Sequence, residues 1–205
     1  KGYIIKEFFS NYSLHSSDIK CNVASKKIEI LNKNSENWEI TLIDTGLNTM
    51  TGGRLKRISQ YIDNQTFFLT YGDGVSDIDI SELLEFHKKN SKLATLTAVR
   101  PSARFGALDI DDENIVRGFR EKSIGSTGWV NGGFFVMEPS ILIDIENDAS
   151  ILEVDILPKL SNQKKLSAFK HKGFWQPMDT LRDKNLLIEM WNSGEAPWIL
   201  GNKDV

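Results

Sequence analysis

Residues 66–80 read TFFLTYGDGVSDIDI, and the fold turns on them. Thr66–Tyr71 is a short, nearly continuous apolar run, the pattern of a strand buried on both faces, and it stops at Gly72-Asp73-Gly74. Ile80–Lys89 follows with apolar residues at helical spacing. The stretch therefore reads as strand, glycine turn and helix, with Asp73 at the carboxyl end of the strand.

The same alternation runs through the flanks. Upstream, residues 3–12 read as an amphipathic helix, Lys27–Leu31 and Trp38–Ile43 as half-buried strands, and Asp44–Gly53 as a polar loop opening a helix over Arg54–Ile62. Downstream, Leu93–Val99, Val130–Met137 and Leu166–Phe169 read as strands. Gly106–Ile110 and Ile115–Phe119 suggest a hairpin, Ser140–Ile145 and Asp155–Leu160 short helices, and Leu181–Trp191 a closing helix. Interleaving of this kind predicts an α/β fold, a sheet with helices on both faces. No repeat, low-complexity segment or linker divides residues 1–205, so one domain is expected.

Composition narrows the function. With 205 residues, 40% of them hydrophobic, the chain can build a substantial core without metal or disulfide support. A net charge of −3 and the lack of any Lys/Arg run argue against a nucleic-acid partner. Cys21 stands alone, which rules out an intrachain disulfide and suits a reducing compartment. No apolar run approaches the ~20 residues that span a bilayer. A soluble cytoplasmic protein with no membrane partner is expected.

In open α/β sheets ligands bind beyond the carboxyl ends of the strands, which singles out Asp73. Its flanking glycines permit close approach of a phosphate, and a carboxylate there suits Mg²⁺; a plain Gly-Asp-Gly turn is the competing reading. Asp179, in Gly173–Thr180 (GFWQPMDT), reads locally as a helix N-cap, or with Asp73 as half of a clamp on one ion. Arg54 follows Thr51-Gly52-Gly53 at a helix start, where free N–H groups favour anions, or it belongs to a solvated basic face with Lys56 and Arg57. Lys122 reads locally as a surface ion-pair residue, and Asn131 as a structural hydrogen-bonding side chain before Gly132-Gly133. His15, His87 and His171 read as surface residues. Asp77/Asp79 and Asp109/Asp111 form Asp-x-Asp pairs, which are acidic turn positions or the metal motif of a glycosyltransferase. No Walker loop, dinucleotide fingerprint or Cys/His metal spacing is present in the sequence.

Taken in order, KGYIIKEFF at Lys1, TLIDTG at Thr41, MTGGRLKRI at Met50, TYGDGVSDID at Thr70, RFGALDI at Arg104, VNGGFFV at Val130 and GFWQPMDTLRDK at Gly173 resemble the sugar-1-phosphate nucleotidyltransferases over nearly the whole chain. The resemblance is strongest to the branch that makes CDP-glucose from CTP and α-D-glucose 1-phosphate. It implies a Rossmann-like nucleotide-diphospho-sugar transferase fold with a mixed, mostly parallel sheet. It also implies a homo-oligomer and a product upstream of the dideoxyhexoses of bacterial surface polysaccharide. Asp73 and Asp179 would be the Mg²⁺ ligands, and Lys122 would bind the sugar phosphate. Gly53 and Arg54 would approach the nucleotide, while Gly106, Glu121 and Asn131 would line the sugar-phosphate pocket.

Two departures accompany it. Glu121-Lys122-Ser123 stands where the family has Glu-Lys-Pro, which loosens the turn and keeps the amine. The family's leading strand and Gly-Gly-x-Gly-Thr-Arg-like phosphate loop are not among residues 1–205, so the chain is expected to be the C-terminal part of a longer enzyme. A different base or sugar, an Asp-x-Asp glycosyltransferase and a non-catalytic binding module are the rival readings.

Overall fold

The computed structural model describes residues 1–32, 36–101, 107–110, 116–120 and 128–199. The chain divides into two compact units, Lys1–Leu47 and Asn48–Val205. In the first, the expected helix forms as α1 (Gly2–Ser10) and, after Asn11, continues as the short α2 (Tyr12–Ser16). The Asn11 amide turns back to donate to the Glu7 carbonyl (2.9 Å), the local competition by which Asn interrupts helices. Phe8 packs edge-on against Phe9 and Tyr12, with ring centroids 5.2 and 5.8 Å apart. β1 (Ile19–Asn22) and β2 (Lys27–Ile30) pair as an antiparallel hairpin. Its turn is closed by Ser25 N on Asn22 Oδ1 (3.0 Å) and by Lys26 in the left-handed region at φ 56°. Trp38–Ile43, expected as a strand, is neither strand nor helix. Its alternation is only partial, and the partner that β2 finds is β1.

The second unit is built on four strands in the order β3 (Phe67–Thr70), β8 (Val130–Met137), β5 (Ala94–Val99), β9 (Leu166–Lys170). β5 and β9 are parallel, while β8 runs antiparallel to both β3 and β5. β3, β5 and β9 thus share one direction, and their carboxyl ends lie on the same edge as the amino end of β8. The sheet is mixed with three of four strands codirectional, as expected. A β4 (Gly74–Ser76) to β10 (Trp175–Pro177) ladder and the hairpin of β6 (Ala107–Ile110) with β7 (Val116–Arg120) complete the strands; Gly106 and Ile115, included in the expected hairpin, fall outside the described residues.

Alternation along β8 explains the two layers. Phe135 and Met137 join Leu55, Ile141, Ile145, Leu152, Ile156 and Leu160 in the larger core. These residues come from α3 (Thr51–Ile58), from the 3₁₀ turn Pro139–Asp144 and the residue after it, and from a π-turn at Leu152–Ile156 that leads into α5 (Leu157–Asn162). On the opposite face Val136 and Phe134 meet Ile78 and Leu83, the latter from α4 (Ile80–Asn90). Leu83 is 1% exposed, and burying it contributes roughly 1.5–3 kcal/mol. Asp79 caps α4 by accepting from Ser81 N (2.8 Å) and Glu82 N (3.1 Å). α6 (Leu181–Asn192) closes the chain's described helices.

Two further expectations are corrected. β3 is buried on one face only: Phe67 and Leu69 enter the larger core, but Phe68 stays 47% exposed, since α4 on that face lies over β5, β8 and β9. His87 is 2% exposed rather than superficial. Its Nδ1 meets Thr95 Oγ1 (2.8 Å) and its Nε2 meets Glu138 Oε1 (3.0 Å), which supplies the partners a buried imidazole needs.

Candidate active site

The site is framed by the chain leaving β3. Tyr71 N donates to the Gly133 carbonyl (3.0 Å), Gly72 and Asp73 turn, and β4 then pairs with β10 in the register Trp175↔Ser76, Gln176↔Val75, Pro177↔Gly74. The next rung is decisive: Met178 N donates to the Asp73 carbonyl at 2.7 Å. Asp73 therefore lies across from Met178, and Asp179 is the residue after it. Both aspartates are exposed at the carboxyl ends of β3 and β10. The ladder is pinned to the sheet by Trp175 Nε1, which donates to the Gly132 carbonyl (2.8 Å).

The local reading of Asp179 as an N-cap gives way. Thr180 caps α6, its hydroxyl accepting from Asp183 N (3.2 Å) while Asp183 accepts from Thr180 N (3.1 Å), a complete capping box. With the cap supplied one residue later, Asp179 is not needed for it. An exposed carboxylate supplies hard oxygen donors of the kind Mg²⁺ takes, with phosphates and water filling the remaining positions. Among the described residues no group of three or more His, Cys, Asp and Glu could hold a metal.

Asp77 and Asp79 are engaged elsewhere. Asp79 is the α4 cap, and Asp77 Oδ1 lies 2.8 Å from His171 Nε2. His171 is correspondingly half-sequestered, not a bare surface histidine, with 11% of its side chain exposed.

Gly53 and Arg54 open α3. A Cβ on Gly53 would stand 2.6 Å from Asp148 Cα, and its amide already donates to the Ser150 carbonyl (3.1 Å). Close packing of the helix on residues 148–150 thus accounts for this glycine. Lys56 and Arg57 are tied to the same segment, Lys56 Nζ on the Ile145 and Glu146 carbonyls (2.6 and 2.7 Å) and Arg57 on the Asp148 carboxylate. Arg54 is half-buried.

Asn131 is anchored within the protein. Its Oδ1 accepts from Gly133 N (2.9 Å) and its Nδ2 donates to Tyr71 Oη (3.3 Å). Tyr71 donates in turn to Glu153, whose other oxygen accepts from Thr51 Oγ1 (2.7 Å). Burial first, then the Glu153 carboxylate, holds the Tyr71 phenol well above its ordinary pKa, so it stays a donor. No local pattern singles out Tyr71, Glu153 or Thr51, because the contacts join positions far apart in the chain. On the same sheet edge Arg100 lies over the Trp129 ring (4.6 Å) with Lys170 also near it (5.6 Å), cations at the ends of β5 and β9. Gly106, Glu121 and Lys122 lie outside the described residues; the backbone of β7 ends at Arg120.

The family model described as nucleotidyl transferase matches residues 22–184. The chain belongs to that family. This nucleotidyl transferase is 52% identical over 199 residues to glucose-1-phosphate cytidylyltransferase of Salmonella typhi, covering 97% of this chain and 77% of that protein. It is 33% identical, with the same coverage, to a probable glucose-1-phosphate cytidylyltransferase of Bacillus subtilis. HddC of Yersinia pseudotuberculosis shares the fold at a TM-score of 0.61 and 23% identity, over 92% of this chain and 73% of that one. Among the described residues no helix is long and apolar enough to cross a membrane.

Proposed function

We propose that this nucleotidyl transferase moves the cytidylyl group of CTP onto α-D-glucose 1-phosphate, giving CDP-glucose and pyrophosphate. The observation that supports the reading is the Met178–Asp73 rung, which sets the backbone of Asp73 across from the residue before Asp179, in a chain 52% identical over 199 residues to a Salmonella enzyme of that name. Asp73 and Asp179 hold Mg²⁺. The ion, when bound, supplies positive charge against the phosphates. Lys122 contacts the phosphate of glucose 1-phosphate and offsets its repulsion from the nucleotide. Arg54, with Gly53 beside it, faces the nucleotide, and Gly106, Glu121 and Asn131 line the sugar-phosphate pocket.

A phosphate oxygen of the sugar phosphate attacks the α-phosphorus in line, the bond to the β-phosphate breaks, and pyrophosphate leaves with its electron pair. Catalysis of this kind is positioning and charge neutralisation, with no covalent enzyme intermediate. A single cytoplasmic catalytic domain acting within a homo-oligomer completes the proposal. The engagement of Asp77 and Asp79 counts against a glycosyltransferase built on that pair. The test is a coupled pyrophosphate assay with CTP, UTP, GTP or dTTP against glucose 1-phosphate and mannose 1-phosphate. CTP with glucose 1-phosphate is expected to be turned over fastest, and a faster reaction with another pair would overturn the substrate assignment.

A further inference from the structure

Glu153 sits on the π-turn Leu152–Ile156, between two residues buried to 1% and 2% exposure in the larger core. π-turns recur where a side chain must be aimed at a site, and this backbone is held firmly by its flanking core residues. Both carboxylate oxygens are used. One accepts from Thr51 Oγ1 (2.7 Å), at the first residue of the helix carrying Arg54. The other accepts from Tyr71 Oη, two residues before Asp73. Hydrogen bonds to an ionised acceptor are roughly twice as strong as neutral ones, so this is a stiff brace between the two segments.

Tyr71 transmits the brace because it is itself immobilised. Its amide is bonded to the Gly133 carbonyl (3.0 Å), its ring meets Phe135 edge-on at 5.6 Å, and Nδ2 of Asn131 donates to its hydroxyl (3.3 Å). Gly133 has φ +80°, and a Cβ there would lie 2.8 Å from Tyr71 Cδ2, so the ring occupies space that only a glycine leaves. These part-buried polar side chains anchor Tyr71, and the Gly72-Asp73-Gly74 turn follows directly from it.

We infer that Glu153 is a positioning residue: by gripping Thr51 and Tyr71 together it sets the placement of the Asp73 carboxylate relative to the Arg54 helix, and so the affinity of the site for the divalent ion that accompanies the nucleotide. The inference rests on the proposed role of Asp73 as a metal ligand. Groups hydrogen-bonded to metal ligands commonly alter metal affinity by about 10–100-fold when replaced, and Glu153 acts one step further out, through Tyr71 and the Gly72 that links it to Asp73.

The experiment measures Mn²⁺ binding by electron paramagnetic resonance in the presence of CTP and without sugar phosphate, so that no turnover occurs. Thermal denaturation is followed alongside. Glu153→Gln can accept through one oxygen only, Tyr71→Phe keeps the ring and removes the hydroxyl, and Thr51→Val removes the third partner while Thr51→Ser restores it. The expected result is Mn²⁺ affinity reduced by about tenfold or more in Glu153→Gln, Tyr71→Phe and Thr51→Val, and regained in Thr51→Ser. If Glu153→Gln does not fold, Tyr71→Phe and the Thr51 pair carry the test. Lowered melting temperature with unchanged Mn²⁺ affinity would make the brace merely structural and overturn the inference. Wild-type protein that gains no Mn²⁺ site with CTP would instead overturn the metal reading of Asp73 and Asp179.

Discussion

The amide of Met178 donates to the carbonyl of Asp73 at 2.7 Å, and this one bond places Asp73 beside the residue preceding Asp179, more than a hundred positions further along the chain. A turn after β3 and the segment before α6 are thereby joined by a backbone bond. The bond is a backbone bond, so it survives replacement of either aspartate side chain, and the chemistry of the carboxylates can be tested without dismantling the frame.

Thr180 and Asp179 separate structure from function at adjacent positions. Thr180→Ala removes the α6 cap and is expected to lower stability by about 1 kcal/mol. Asp179→Ala leaves the capping box of Thr180 and Asp183 intact and should cost activity while losing less stability than Thr180→Ala. Urea denaturation of the two variants, read beside their turnover, checks the contrast; equal stability losses would return the capping role to Asp179.

At Gly53 the prediction is steric. Alanine there drives a Cβ onto the Asp148 backbone, against its carbonyl oxygen and 2.6 Å from its Cα. Overpacking of this sort costs about 1–3 kcal/mol, and the helix carrying Arg54 must shift to relieve it. Gly53→Ala should therefore unfold at lower denaturant concentration than wild type. An unchanged midpoint would remove packing as the reason for the glycine.

Acid should loosen the sheet end opposite the site. The hydrogen bond from buried His87 is the main reason Glu138 ionises below its ordinary value of 4.5, with Thr66 helping and burial opposing. A carboxylate whose folded pKa is depressed adds stability above its unfolded pKa and loses it as pH falls through the folded one. Stability is expected to drop as pH is taken below 4.5, and the drop should be shallower in Glu138→Gln than in wild type. Parallel melting curves of the two proteins from neutral to acid pH would contradict this.

Lys122 tests the sugar-phosphate side. Lys122→Ala should raise KM for glucose 1-phosphate and lower kcat while CTP affinity by calorimetry changes little. A selective loss of CTP affinity would reverse the assignment.

Much of this architecture was legible in order, because each strand of the sheet carries its own apolar run and each helix its own period. Thr66–Tyr71, Val130–Met137 and Leu181–Trp191 announce themselves within a few residues of their structural limits. Trp38–Ile43 failed as a strand because alternation describes a face and says nothing of a partner. The burial of His87 was hidden for a related reason: Lys88, Lys89 and Asn90 make its surroundings polar in sequence, while α4 turns the imidazole inward toward Thr95 and Glu138. At the site, Asp73 stood out through its glycines, but the Tyr71–Glu153–Thr51 brace left no local trace, since hydroxyls and carboxylates are common and only the tertiary fold brings these three together.

The central claim is that Asp73 and Asp179 jointly hold the metal for cytidylyl transfer. The most direct measurement is formation of CDP-glucose and pyrophosphate from CTP, glucose 1-phosphate and Mg²⁺, followed by chromatography in the wild-type enzyme and in Asp73→Asn and Asp179→Asn, each shown to be folded by circular dichroism. An amide lacks the charge of the carboxylate, and loss of one such charge-stabilising partner costs about 3–4 kcal/mol in the transition state, which is at least a hundredfold in rate. The account predicts equimolar CDP-glucose and pyrophosphate from the wild type and a fall of that size in both variants. Turnover near the wild-type rate in either variant would contradict it.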